Sequence, residues 1–239
     1  MTDPPAPKLT ATHHAMLFAL AAREIVQAAP VRGEGVVRQA VRRYGAQRGK
    51  RMALRAQANG DPLDMFNYMA YGEWAVGAAE MSSEMVAEGP AARSVVQRCP
   101  WHTAWADRDL MAYGRLYCLE IDEALARGFN PALRLEVRRT RPNGGEPCEF
   151  VYHGAGLTPE AKAALQRKKA ALASRNIMPW EYHCGHLYQA LLRQAVRELG
   201  EAGERAMERA LAEFAAAYGA EAARIVAEYA QADFDRLPD

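Results

Sequence analysis

The stretch CPWHTAW, Cys99 to Trp105, places a thiol, a helix-breaking proline, an imidazole and two indoles side by side. Cys99 and His102 have a spacing that metal sites use, although the second pair of a zinc finger does not follow it. Pro100 turns the chain out of an expected strand, so the pair belongs at a strand-to-helix corner, a common place for sites. The competing reading is packing, with Cys99 as a small core residue and Trp101 and Trp105 as core aromatics.

A second cluster, YCLEIDEALARGFNPAL, runs from Tyr117 to Leu133. Cys118 and Asp122 are four residues apart, which on one helix puts both on the same side, within reach of one bound molecule. A carboxylate raises a neighbouring thiol's pKa, so activation calls for a histidine, and His102 is the nearest in sequence. A buried helix cysteine is the plainer alternative for Cys118. Asn130, in the same stretch, offers a side-chain amide to a substrate.

The third cluster, PWEYHCGHLY from Pro179, sets His183, Cys184 and His186 at the start of a helix. A thiolate there gains from the positive helix end, and the two histidines share a face. They are suited to join Cys99 and His102 around a metal, or to act as acid and base; packing at the start of the helix is the alternative. Arg48, Arg51 and Arg55 also share one helical face. Such a row holds a carboxylate by bidentate pairing, or is a solvated face.

The elements that must position these residues are legible from period and punctuation. Thr10 or Thr12 caps a helix running to about Ala29, and Pro30 with Gly33 and Gly35 ends it. A second helix covers Val36 to Ala58, closed by Asn59-Gly60. Asp61 caps a third, with Pro62 at its first position. Met81–Glu88 and Arg93–Trp101, divided by Gly89-Pro90, read as strands. One helix follows from Asp107 or Asp109 to Gly128, with Leu110, Gly114, Tyr117, Cys118, Ile121 and Leu125 at helical spacing. Leu133, Leu135 and Val137 alternate with charged residues, and RPNGGEP returns the chain into CEFVYH, with Cys148, Phe150 and Tyr152 on one face. From Pro159 onward the chain is helical, divided near Pro179 and Gly200 to Gly203. This order argues for an α+β fold with an antiparallel sheet of about four strands packed with helices. The expected divisions are a disordered leader over 1–9, an α+β domain over 10–199 and a C-terminal helical extension over 200–239. Met207, Leu211, Phe214, Tyr218, Ile225 and Tyr229 form an apolar stripe that packs on its own domain or makes a homodimer contact.

At 239 residues the chain can bury one large core. Thirty Lys and Arg against 29 acidic residues leave a formal charge of +1, which gives no pull toward nucleic acid or anionic lipid. A small-molecule or protein partner is expected. The opening MTDPPAPKLTAT lacks the apolar stretch of a secretory signal, and no run is long enough to span a bilayer. The expected compartment is the cytoplasm, where Cys99, Cys118, Cys148 and Cys184 are thiols or ligands more than disulfides. The Arg- and Ala-rich composition is in a bacterial style.

Taken together, CPW, YGRLYCLEIDEALARGFNPAL and GGEPCEFVYHG resemble the L-2-amino-thiazoline-4-carboxylic acid hydrolase family, most clearly over Arg93 to Gly154. The resemblance implies a hydrolase that opens a small heterocycle carrying a carboxylate, the amino-thiazoline acid giving S-carbamoyl-cysteine. A fainter similarity runs to vinyl-reductase-type ligand-binding domains and to vesicle-tethering (TRAPP complex) subunits. Cys118 and Cys148 match their helix and strand cysteines, whereas the intermediate cysteine of the vinyl-reductase pattern would fall near Arg139 or Thr140, against a metal cluster of that kind.

The resulting expectation is cysteine and histidine chemistry without a resident cofactor. Cys118, ahead of Cys99 or Cys184, is the nucleophile, His102 or His186 the base, and Asp122 orients it. Arg48, Arg51, Trp101, Asn130 and His183 are the candidate substrate contacts. A zinc-bound water attacking the same ring is the first alternative, and a non-catalytic domain holding a small molecule in an apolar cavity is the second.

Overall fold

A computed structural model describes residues 8–238. In chain order the elements are α1 (Ala11–Ala28), α2 (Gly33–Ala58), α3 (Met65–Ala70), β1 (Ser82–Glu88), β2 (Ala91–Arg98), α4 (Pro100–Ala106), α5 (Met111–Cys118) and α6 (Ile121–Phe129). They continue as β3 (Leu135–Arg139), β4 (Cys148–Tyr152), α7 (Pro159–Asn176), α8 (Trp180–Leu199), α9 (Glu201–Tyr218) and α10 (Ala220–Tyr229). The fold is α+β, with a four-stranded antiparallel sheet in the order β1-β2-β4-β3. Of the expected leader over 1–9, residues 1–7 lie outside the described ones, and Leu9 is buried with its amide donating to Glu181 at 2.8 Å.

The chain forms two contact units. One comprises residues up to Val41, Pro100–Tyr117 and Pro179–Ala232; the other Arg42–Cys99, Cys118–Met178 and Asp233–Asp239. The first is helical. α1 packs on α4, α8 and α9, and α10 on α8 and α9. Its core includes Phe18, whose ring meets those of Tyr117 at 5.1 Å and Trp105 at 6.2 Å. Met207 and Phe214 of the C-terminal stripe are fully buried in this unit, while Tyr229 is partly exposed.

The second unit carries the sheet. The two hairpins join through β2 and β4, with Ala92 opposite Tyr152 and Val96 opposite Cys148. A core of Met52, Met69, Phe129, Leu135, Leu157 and Leu165 ties α2, α3, α6 and α7 to one face of the sheet, with Phe150 and Tyr152 packed against it. α2 and α6 approach so closely that a Cβ on Gly45 would stand 2.8 Å from Ala124, and one on Gly128 2.4 Å from the Ala46 carbonyl oxygen.

Several local expectations are corrected. The single helix expected up to Gly128 is two, because the chain breaks at Leu119-Glu120. There Arg42 of α2 binds both oxygens of Glu120, at 2.5 and 2.9 Å, and α6 packs closely against α2. The second helix begins at Gly33, so Gly33 and Gly35 lie inside it. The third is a short helix capped by Asp64, whose Oδ1 accepts the Asn67 amide at 2.8 Å; Asp61 instead pairs with Lys168 at 2.7 Å and accepts from the Tyr71 hydroxyl. The second strand stops at Arg98, and α4 starts directly at Pro100, where a missing amide costs a helix nothing.

Candidate active site around Cys118 and Asp122

Titratable groups of the sheet-bearing unit, from several elements, are electrostatically coupled to Asp122. The carboxylate opens α6. Cys118 closes α5, Arg48 comes from the middle of α2, Tyr68 from α3, and Cys148 and Tyr152 from one face of β4. Asp122 is pushed up to about 6, chiefly by burial, with Glu123 adding to the rise and the Arg48 guanidinium opposing it. Burial, then Asp122, then the Cys99 and Cys148 thiols hold the Cys118 thiol well above its usual range. Cys118 keeps partial exposure as a residue, yet enough protein surrounds its sulfur to penalise the thiolate.

The neighbouring groups titrate the same way. Burial raises Cys148, and Asp122 adds to the shift, while the Arg141 amide donating to its sulfur at 3.2 Å works against it. Burial and Asp122 raise Tyr152; burial, then Tyr152 and Asp122 raise Tyr68, with Arg48 opposing. At neutral pH the cluster therefore offers neutral thiols and phenols as proton donors, beside one carboxylate poised to exchange a proton. Cys118 and Asp122 do not lie on a continuous helix, as the four-residue spacing implies; the tight break between α5 and α6 keeps them electrostatically coupled.

Arg48, Arg51 and Arg55 are all buried, which excludes a solvated face, and they converge on Glu73. Arg51 pairs with both Glu73 oxygens at 3.0 and 2.9 Å and gives a further donor to the Phe234 carbonyl at 2.7 Å. Arg55 donates to the same carboxylate at 2.6 Å. Arg48 lies 3.5 Å from it, with its guanidinium 5.4 Å from the Tyr44 ring and 5.3 Å from that of Trp74. Asn130 ends α6, donating to the Leu63 carbonyl at 2.7 Å and accepting the Ala132 amide at 3.0 Å.

The other candidates belong to the helical unit. Trp101 is buried and donates its indole N–H to Nδ1 of His14 at 3.1 Å. His102 is half-buried on α4. His183, Cys184 and His186 are buried on α8, where burial, then Glu181, raises the Cys184 thiol well above its usual range. Burial there outweighs the help expected from the helix start. Among the described residues no group of three or more His, Cys, Asp or Glu side chains is arranged to hold a metal ion, and no helix is long and apolar enough to cross a membrane.

A family model described as L-2-amino-thiazoline-4-carboxylic acid hydrolase matches residues 10–152. The chain belongs to that family. Comparison with curated proteins and with solved structures gives no match. The amino-thiazoline-carboxylate hydrolase match runs from the cap of α1 to the end of β4. It therefore contains Arg48, Tyr68, Glu73, Cys99, Cys118, Asp122, Cys148 and Tyr152, and stops before His183, Cys184 and His186. Membership of this family supports hydrolytic activity in general. Glu73, Tyr68 and Tyr152 escape a reading by spacing, since each comes from a different segment. The one signal for Glu73 is an acidic residue between Gly72 and Trp74 near a row of arginines.

An open groove of about 280 Å³ lies along Arg42, Ala46, Glu120, Glu123, Ala124, Arg127 and Gly128. Its charges already pair with one another, Arg42 with Glu120 and Arg127 with Glu123, and it holds no nucleophile.

Proposed function

We propose that the protein hydrolyses a small heterocycle bearing a carboxylate, an amino-thiazoline or a related cyclic amidine, with Cys118 as nucleophile and Asp122 as its proton partner. The observation that carries this reading is that Cys118 and Asp122 lie four residues apart across the α5–α6 break, where burial pushes the carboxyl up to about 6 and holds the thiol up. A buried neutral thiol is a poor nucleophile until its proton has somewhere to go. Asp122 in its charged form can accept that proton as the sulfur adds to the ring carbon between its heteroatoms, and can return it to the leaving ring nitrogen. Water then adds to the same carbon and the Cys118 sulfur leaves with a proton, so ring plus water gives the opened carbamoyl product. Arg48 provides positive charge for the substrate carboxylate, and the Tyr68 and Tyr152 phenols are donors for charge building on the reacting carbon's substituents.

The test is turnover of a panel of cyclic amidines, thiazolines and ureas by the purified chain, with and without chelator, beside Cys118→Ala and Asp122→Asn. Ring opening that survives chelation and is lost in both variants is the expected result. Loss on chelation would favour a metal-bound water instead, and a Cys118→Ala chain with full activity would remove the nucleophile from the scheme.

A further inference from the structure

We propose that Glu73 is a positioning residue, which draws the Arg48 guanidinium toward itself across the packed α2–α6 pair and so limits the positive charge that Asp122 receives. The inference rests on the hydrolytic reading above, in which Asp122 moves the proton. Arg48, Arg51 and Arg55 stand on one face of α2, so their charges repel one another, and burial amplifies that repulsion. Glu73, itself fully buried, is the carboxylate that meets all three. It is anchored from behind, since its backbone carbonyl accepts the Met178 amide at 2.8 Å. Arg51 and Arg55 take the close contacts with it, while Arg48 is held farther off between the Tyr44 and Trp74 rings. Arg48 thus stands 3.5 Å from Glu73 on an α2 that packs tightly against α6, the helix of Asp122, and its charge acts on Asp122 and Tyr68.

The other groups facing Asp122 are Glu123 on its own helix, Cys118 at the end of α5, Tyr68 on α3, and Cys148 and Tyr152 on β4. None of these is a cation; the positive charge acting on Asp122 is that of Arg48. Neutralising Glu73 removes the competitor for that cation, so Asp122 becomes the carboxylate that the arginine row must neutralise, and its proton affinity falls.

The measurement is a carbon NMR titration of the Asp122 carboxyl, assigned with Asp122→Asn, in wild type, Glu73→Gln, Arg48→Gln and the double variant. The expected result is a midpoint lowered by about one pH unit in Glu73→Gln and raised in Arg48→Gln. In the double variant Glu73→Gln should add no further shift. A Glu73→Gln shift that persists at full size without Arg48 would mean general loosening or hydration of the site and would overturn the role, as would an unmoved midpoint. If Glu73→Gln does not fold, Glu73→Asp serves in the same cycle, and its shift too must vanish without Arg48. Because the titration needs no turnover, a chain that opens no ring on the panel bears on the hydrolytic reading and leaves this result to be judged by itself.

Discussion

Gly49 on α2 lies against Leu125 on α6 so closely that a Cβ at Gly49 would stand 2.2 Å from the Leu125 carbonyl oxygen, backbone against backbone. That contact holds α2, which carries Arg48, against α6, which carries Asp122. Gly49→Ala must push the helices apart, at a cost of about 1–3 kcal/mol or more from overpacking. Denaturant midpoints should fall accordingly. Gly35→Ala, on the same helix with open space around it, serves as the control and should not destabilise.

Asp122→Asn should reduce hydrolysis by about two orders of magnitude, the usual worth of a positioned acid-base group. The same change removes a charge that holds the Cys118 thiol up, so alkylation of Cys118 should begin at lower pH than in wild type. Faster alkylation with slower turnover would separate proton transfer from simple nucleophile strength. Equal loss of both would mean a collapsed site.

The elevated Asp122 pKa also has a sign in stability. A carboxyl raised from 3.8 to about 6 binds its proton more tightly folded than unfolded, so its contribution is fully present below about pH 4 and is lost as pH rises through 6. Asp122→Asn should therefore be more stable than wild type at pH 7, by on the order of 1–3 kcal/mol, and match it near pH 4. Urea titrations at the two pH values measure the difference. A gap that widened toward acid would place the Asp122 pKa below its unfolded value. In wild type the acid limb of kcat/KM should lie near 6.

Trp101→Phe keeps the ring and removes the donor to the buried His14 Nδ1. Losing that bond between buried groups should cost about 1–3 kcal/mol. KM of the folded variant separates the two roles: an unchanged KM marks Trp101 as packing, and a raised KM at unchanged stability marks it as a substrate contact.

The strands were readable because their information is local. Alternation at Leu135 and Val137, the RPNGGEP turn and the Gly89-Pro90 turn need only neighbours in sequence, and the corner from Cys99 into Pro100 follows from a missing amide. The caps were less secure: Asp61 and Asp64 are equivalent as local signals, and the choice fell to Lys168, far along the chain.

The candidate chemistry divides in the same way. Periodicity and turn signals were enough for an α+β fold, and the resemblance of three motifs was enough for the family to which the chain belongs. Only the folded chain decides that Cys118 and Asp122 span a helix break, that Tyr68, Cys148 and Tyr152 are buried and coupled to Asp122, and that three arginines converge on Glu73. Periodicity reports which side of one element a residue occupies. Burial and charge compensation depend on which other element covers that side, and that is settled by contacts between segments distant in the chain.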